Sequence, residues 1–371
     1  MSRRSAAAVS GAMLMLLAAT APMAAREASP GLAPVVATAP AWSAPVRVLN
    51  GFFREISEAI DSTNHVHIAA AGRGGLWYIT DRGGAWNAKR ILVNPHNNSY
   101  QEPSIALDDH DRVYIAFSRS SCNDCAPGST DGIFTLTDKG RARGSFPSSP
   151  TRLAPAASAE PSLRVSGGHI YLAYQSDCCH PGPLPPLRFK TNVTGAWTTA
   201  QVAASGDGPS LRLGTDGRAR VAYAKPHGIG FATASSASGG FASVALPGTG
   251  SGDFRALLAL DLHDRPSVVW LHDGVSMNGI RYSSRGSSGW ATPVEIAPTV
   301  GTIGYALDAQ DRPHVVIGAG KVREERLVAG TWVASTVSSK GALDVAIRRA
   351  FDGHMVVAYS ADPSGIYVSK N

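Results

Sequence analysis

The sequence predicts an all-β protein, folded as a seven-bladed β-propeller of four-stranded antiparallel blades, and three observations lead to this fold class. A short apolar strand ending in an aromatic or small apolar residue recurs seven times, at spacings of 42 to 57 residues. A period in the forties with several strands per repeat is typical of propeller blades, and the 3.6-residue apolar rhythm of helical solenoids is absent. The 371 residues also include 39 Gly and 24 Pro, the amount of turn residues that an all-β chain needs.

Each repeat begins with an inner strand that is followed by a polar turn. Three inner strands, Ser104–Leu107, Ser162–Val165 and Ser210–Leu213, are each preceded by proline, which suits the first position of a strand because no ladder donor is needed there. The turns that follow, such as Asp108–Arg112 and Asp261–Arg265, contain residues that tolerate left-handed backbone and bond to their own main chain. We interpret these turns as hairpins rather than as metal or catalytic sites.

The later strands of each repeat predict how the ring closes. Third strands follow a Gly-Ile-x-aromatic pattern, and fourth strands open with an aromatic residue at Trp86, Phe146, Trp197, Phe241, Trp290 and Trp332. The last repeat has no such residue, yet Ala41–Val46, before the first repeat, resembles Gly289–Val294. We therefore expect the N-terminal segment to supply the outer strand of the last blade, which leaves no exposed blade edge.

The N-terminal residues predict an exported protein. Residues 1–25 combine Arg3 and Arg4 with an apolar run and small residues near Ala25, the pattern of a secretory signal peptide that is removed near Ala25. We interpret residues 26–40 as a flexible leader and residues 41–371 as a single propeller domain. We expect the protein to be secreted and extracellular, monomeric and without a membrane span. The net charge of +6 is scattered, without a Lys/Arg run, which argues against a nucleic-acid partner.

Four cysteines lie in two loops that a propeller places side by side. Cys122 and Cys125 follow the second strand of blade 2, and Cys178 and Cys179 follow that of blade 3. An even number of cysteines in an exported chain indicates disulfides, and two bridges between the loops are the most economical pairing. A zinc site made of these cysteines and His180 is the alternative, although the adjacent pair is awkward for tetrahedral ligation. We expect the disulfides, and no resident metal or cofactor.

One register near the channel mouth carries charged side chains. Counting five residues back from the last residue of the inner strand gives Glu55, Glu102 and Glu160 in blades 1 to 3, and Arg255 in blade 5. Arg54, Asp253 and Tyr305 lie beside this register. We predict that these seven residues bind a ligand, since such groups can bind sugar hydroxyls, position a cation or act as an acid/base pair. The alternative is structural: the carboxylates pair with Arg164 and Arg212, which lie deeper in the channel.

The chain resembles the sialidase-like superfamily of secreted bacterial propellers, which carry BNR (Asp-box) repeats. Ile79–Trp86 resembles the Asp-box turn S-x-D-x-G-x-x-W. Thr137–Gly140 and Ser284–Gly286 match this motif more weakly. Phe53–Ile56 stands where those enzymes carry an Arg-Ile-Pro whose arginine binds the substrate carboxylate. The resemblance implies a propeller over residues 42–371, with a structural Asp-box turn that lies away from the active face.

This chain departs from the enzymes of that superfamily. The loop Ala71–Gly75 contains no carboxylate where sialidases place their acid/base Asp. Sialidases also have six blades, whereas the sequence predicts seven here. Tyr305 and Glu160 are the residues that could take the place of their Tyr/Glu nucleophile pair. The leading interpretation is a non-catalytic module that binds a glycan or an extracellular protein through the loop face around the channel. The alternative is a carbohydrate-active enzyme, either a polysaccharide lyase or a glycoside hydrolase, and less readily an exo-sialidase.

Overall fold

The computed structural model describes residues 41–94, 98–121, 131–155, 157–176, 184–274, 278–299, 301–362 and 364–371. Within these residues 29 strands form seven antiparallel sheets of at least four strands, and each sheet is one blade. The predicted seven-bladed propeller is therefore confirmed. None of the described residues belongs to a helix long and apolar enough to cross a membrane. The predicted signal peptide, the leader and all four cysteines lie outside the described residues and stay predictions.

The strands follow one another through the blades in chain order. Blade 1 consists of β2 (Phe53–Ile60), β3 (Val66–Gly72), β4 (Gly75–Thr80) and β5 (Asn87–Val93), after a separate first strand β1 (Val46–Leu49). Blade 2 consists of β6 (Asn98–Leu107), β7 (Val113–Ser121), β8 (Gly132–Thr137) and β9 (Thr151–Arg152). Blade 3 consists of β10 (Ser158–Ser166), β11 (His169–Ser176), β12 (Leu187–Thr191) and β13 (Thr198–Ala203). Blade 4 consists of β14 (Asp207–Leu213), β15 (Ala219–Lys225), β16 (Gly228–Ser236) and β17 (Gly239–Ala245).

Blade 5 differs because its outer strand is in two pieces. It consists of β18 (Asp253–Leu260), β19 (Pro266–Asp273), β20 (Asn278–Gly286), β21 (Gly289–Trp290) and β22 (Val294–Ala297), and both short pieces pair with β20. Blade 6 consists of β23 (Thr302–Leu307), β24 (Pro313–Gly318), β25 (Val322–Val328) and β26 (Thr331–Ser338). The last three strands are β27 (Asp344–Arg349), β28 (Met355–Ala361) and β29 (Gly365–Lys370).

The N-terminal strand β1 completes blade 7, as the sequence predicts. It pairs antiparallel with β29, so the sheet order is β1, β29, β28, β27. Beyond the strand, the Ser43 N–H donates to the Lys370 carbonyl at 2.8 Å, and the indole N–H of Trp42 donates to Glu324 of blade 6 at 3.0 Å. The ring is thus closed by hydrogen bonds between the two ends of the propeller sequence.

The prolines of the inner strands lie inside the strands and not at their first positions, which corrects the sequence interpretation. Pro103, Pro161 and Pro209 fall within β6, β10 and β14, where the pairing with the second strand shifts by one residue. Such a shift is a β-bulge, and a bulge also tolerates proline because a residue there is left out of the hydrogen-bond ladder.

Neighbouring blades are joined by hydrogen bonds from inner-strand serines in addition to apolar packing. The Ser57 hydroxyl accepts the Ile105 N–H of the next blade at 3.1 Å, and the same contact recurs at 2.9 to 3.0 Å from Ser104, Ser162 and Ser210 to the following blade. Buried backbone N–H groups need a partner, so these serines satisfy donors that no ladder reaches. They fix the relative positions of the inner strands, and the inner strands line the channel.

The hairpin turns at the far ends of the inner strands have the predicted chemistry. The Asp108 carboxylate accepts the N–H groups of His110 at 3.0 Å and of Arg112 at 2.9 Å, and Asp261 makes the same contacts with His263 and Arg265. These aspartates hold their own turns.

Candidate functional site

A cavity of about 620 Å³ occupies the channel where the inner strands begin, and residues of all seven inner strands or their entry loops line it. Its volume lies within the range of small-ligand sites. The rim combines charged groups, such as Arg54, with Phe254 and Leu343, which are 39% and 42% exposed. The cavity is therefore a polar pocket with two apolar side chains at its edge.

The mouth register runs through all seven blades. The register lies five residues before the end of each inner strand, or six before the end of β10, which extends one residue further at that end. It contains Glu55, Glu102, Glu160, Gly208, Arg255, Thr302 and Asp344. Four of these residues carry a carboxyl group and one a guanidinium group. All but Thr302 are part of the cavity lining.

The carboxylates of this register connect each blade to the next one. A Glu55 oxygen accepts the N–H of Glu102, Glu102 Oε2 accepts the N–H of Glu160 at 2.7 Å, and Glu160 Oε2 accepts the N–H of Gly208 at 2.6 Å. The Ser118 hydroxyl also donates to Glu102 Oε2, at 2.6 Å. One oxygen of each carboxylate therefore has a structural role, and the bond also fixes where the rest of the group points.

Asp344 occupies the same position in blade 7 and joins both of its neighbours. It accepts the Ile56 N–H of blade 1 at 2.9 Å and the Thr302 hydroxyl of blade 6 at 2.8 Å. It also forms an ion pair with Arg255 of blade 5, two blades away in the ring, at 3.0 Å. This ion pair restrains Arg255 at the channel mouth.

Burial raises the pKa of several of these acids. The pKa of Glu160 is raised to about 9, first by burial and then by a hydrogen bond to Asp207. Burial also raises the pKa of Glu55 and of Asp344, against the opposing effect of Arg255 on both. Glu160 therefore holds a proton at neutral pH and donates it to Asp207, while Gln175 Nε2 donates to Asp207 Oδ1 at 3.1 Å. Groups with shifted pKa values inside a pocket make this cavity a candidate functional site.

The backbone at the mouth is strained at three non-glycine residues. Glu102, Glu160 and Arg255 have φ values of 52°, 54° and 51°, and Gly208 has 55° at the same place in blade 4. Left-handed backbone costs a Glu or Arg residue of order 1 kcal/mol, which glycine avoids. The bulges turn these side chains into the channel.

The structure brings most of the sequence-predicted residues together. Arg54, Glu55, Glu102, Glu160 and Arg255 line the one cavity.

Two residues of the set present no free polar group there. Asp253 does not line the cavity, because its buried carboxylate accepts from Trp270 and pairs with His272 at 2.7 Å. Tyr305 lines it, but its side chain is buried and its hydroxyl is hydrogen-bonded to Ser267, so it does not form a pair with Glu160.

Sequence reasoning missed Asp207, Asp344 and Phe254. Asp344 was overlooked because its inner strand ends in Arg349 and offers no apolar residue to count from. Asp207 precedes the register position, which Gly208 fills, so a count at fixed spacing passes over it. Phe254 stands directly before Arg255 and could have been found as an exposed aromatic residue next to the register.

No family model matches the chain, and no curated protein matches it in sequence. Solved structures do match. A polysaccharide lyase of family PL25, an ulvan lyase, is 12% identical with a TM-score of 0.56, covering 87% of this chain and 93% of that chain. The polysaccharide lyase Uly1 is 9% identical with a TM-score of 0.56, covering 89% and 99%. A protein of unknown function from Dyadobacter fermentans is 11% identical with a TM-score of 0.52, covering 75% and 96%.

Sialidases are also among the matching structures. The leech intramolecular trans-sialidase is 11% identical with a TM-score of 0.49, covering 89% of this chain and 70% of that chain. Seven antiparallel blades bear out the propeller fold that the sequence resemblance implies. Identities this low show a shared fold and leave the activity open.

Proposed function

We propose that this protein binds a carbohydrate at the mouth of its central channel. The observation that carries the proposal is the cavity of about 620 Å³ in which one register presents four carboxyl groups and Arg255. Carboxylates accept, and guanidinium and protonated carboxyl groups donate, the hydrogen bonds by which hydroxyl-rich ligands are recognised. The two similar structures named as polysaccharide lyases support a carbohydrate over other ligands of the same size.

The apolar edge of the cavity fits this ligand class. Phe254 and Leu343 stand directly before Arg255 and Asp344 in the chain, and the latter two form the ion pair of the cavity lining. The faces of sugar rings carry C–H groups that pack on aromatic side chains, and their hydroxyls point outward to polar groups. A concave pocket also suits a sugar better than it suits a protein surface, since protein interfaces are broad.

A glycan-array screen with the full chain tests the proposal, and calorimetry on the hits gives affinities. The test variant is Glu102→Gln with Glu160→Gln, because glutamine still accepts the N–H of the next blade, whereas a lysine there would break that bond. We expect about a tenfold or larger loss of affinity with little change in melting temperature. The matched control is His263→Ala, in an exposed hairpin turn at the far ends of the inner strands, which should bind like the native protein. Unchanged affinity in the double variant would refute the placement of the site.

Acid/base catalysis at the same site is the second candidate, and it rests on the protonated Glu160 beside Asp207. A protonated carboxyl group that is hydrogen-bonded to a second carboxyl group is an arrangement that general acid and base catalysis can use. The glycan hits are incubated with the protein, and the products are followed as reducing ends for hydrolysis or as unsaturated sugars for a lyase. Turnover that is lost in Glu160→Gln and in Asp207→Asn, measured at glycan concentrations that saturate each variant, would establish catalysis. Binding without turnover would leave a non-catalytic module.

A further inference from the structure

Three arginines form the floor of the cavity, below the acidic mouth. Arg164, Arg212 and Arg348 occupy the same register in blades 3, 4 and 7, four residues further along the inner strand than the mouth register. The other four blades have alanine at this register, at Ala59, Ala106, Ala259 and Ala306. None of these four alanines lines the cavity, whereas all three arginines do.

These guanidinium groups have few protein partners. Each donates one hydrogen bond to the carbonyl of the preceding residue: Arg164 to Leu163 at 2.5 Å, Arg212 to Leu211 at 2.9 Å and Arg348 to Ile347 at 2.8 Å. A guanidinium group has five N–H donors, so most donors of the three are free for another acceptor. Among the described residues, no carboxylate lies within 4 Å of any of them, whereas Arg255 at the mouth has Asp344 at 3.0 Å. The sequence alternative, in which Arg164 and Arg212 pair with the mouth carboxylates, is therefore not found.

Glu58 is the carboxyl group whose charge acts on Arg348. Glu58 stands at a core position of β2, and both of its oxygens are buried without a hydrogen-bond partner. Burial raises its pKa well above the usual value, more than the charges of Arg348 and Lys370 lower it. Burial, and then the charge of Arg348, lower the pKa of Arg164 to about 9, which leaves it positive at neutral pH. The floor thus carries up to three positive charges.

Enclosed charges of one sign are costly unless a counter-charge is present. Arginine forks match the oxygens of sulfate, phosphate and carboxylate groups in geometry. We propose that Arg164, Arg212 and Arg348 form an oxyanion-binding site that takes a sulfate or phosphate group at the floor of the channel. The group is either a free anion or a substituent of a larger ligand that enters through the mouth. The site stands apart from the carboxyl groups of the mouth and does not depend on the proposed carbohydrate binding.

Thermal melts of the full chain test this site with inorganic anions as probes. Sodium sulfate and sodium phosphate are titrated against sodium chloride at equal ionic strength, so that charge screening is the same in all series. The general stabilisation by excluded anions such as sulfate rises without saturating, which distinguishes it from binding at a site. We expect saturable stabilisation by sulfate or phosphate and none by chloride. Isothermal calorimetry with the same salts measures the affinity directly.

The test variant is Arg164→Gln with Arg212→Gln, and the matched control is Arg285→Gln, an exposed arginine of β20 outside the cavity. We expect the double variant to lose the sulfate-specific shift while its melting temperature in chloride is unchanged or higher, because two mutually repelling charges are gone. The control should keep the shift. If the double variant does not fold, Arg212→Lys keeps the charge but not the fork, and should weaken sulfate binding several-fold.

A comparison of probes separates the two sources of the group. A sulfated methyl glycoside that binds more tightly than both free sulfate and its unsulfated counterpart identifies a substituent, whereas equal affinity of the sulfated glycoside and free sulfate identifies the free anion. Stabilisation that is the same in sulfate and chloride, or that persists in the double variant, would overturn the proposal.

Discussion

The closure of the ring gives a stability prediction that the structure makes quantitative. Trp42 is half-buried against the apolar cluster between blades 6 and 7, and its indole N–H donates to Glu324 at 3.0 Å. Full truncation of a core Trp costs about 3–5 kcal/mol, so the packing of a half-buried one contributes about 2. A hydrogen bond to a charged group adds about 1.5–3 kcal/mol. Trp42→Ala should therefore lower the free energy of unfolding by about 4 kcal/mol, and Trp42→Phe by about 2, because phenylalanine loses mainly the hydrogen bond.

Urea unfolding followed by circular dichroism measures both changes on the full chain. The matched control is Trp197→Ala, which truncates the tryptophan before the outer strand of blade 3. Trp197 is 44% exposed, and its ring contacts Lys190 at 5.3 Å. We expect the control to cost about 1 kcal/mol, as a mostly solvated aromatic residue should. If Trp42→Ala costs no more than Trp197→Ala, closure through this residue does not stabilise the ring.

Three further predictions concern protonation and the cysteines. Burial alone would lower the pKa of His314, but the hydrogen bonds to Asp308 and Glu324 outweigh burial and raise this pKa. The stabilisation by protonated His314 is therefore complete below about pH 6.5 and is lost as the pH rises through the higher pKa of the folded state. His314→Gln should flatten the decline of the melting temperature at alkaline pH. Glu160 keeps its proton in the folded protein up to about pH 9, while the unfolded chain releases it near pH 4.5. The free energy of unfolding should therefore fall between pH 4.5 and pH 9 by at most about 1.4 kcal/mol per pH unit, and Glu160→Gln should remove that slope. Thiol titration of the exported protein should find Cys122, Cys125, Cys178 and Cys179 oxidised and no bound zinc; four free thiols would contradict the predicted bridges.

The sequence predicts the fold well because strand periodicity and turn residues are local signals. The sequence also predicts the outer strand of blade 7, because Trp42 lies in a segment that resembles the start of another outer strand. The sequence does not predict the double role of the mouth carboxylates. One side-chain oxygen of Glu55, Glu102 and Glu160 accepts a backbone N–H that lies about 50 residues away, on the next blade. Such bonds depend on how two blades face each other, and no spacing in the chain encodes that.

The bulges show the same limit. Proline at 103, 161 and 209 is compatible both with a strand start and with a bulge, and the sequence offers no reason to prefer the second. Only the pairing with the neighbouring strand decides, and it places Glu102 and Glu160 in the left-handed backbone that turns them into the channel.

The antiparallel pairing of β1 with β29 also sets how the ring responds to force. Ser43 and Lys370 lie side by side at one end of that strand pair, joined by the 2.8 Å bond between the Ser43 N–H and the Lys370 carbonyl. A pull between these two residues loads the hydrogen bonds one after another, like a zipper, instead of shearing them all at once. The propeller should therefore open at this seam under low tension, and blade 7 should lose its outer strand before any other blade is disturbed.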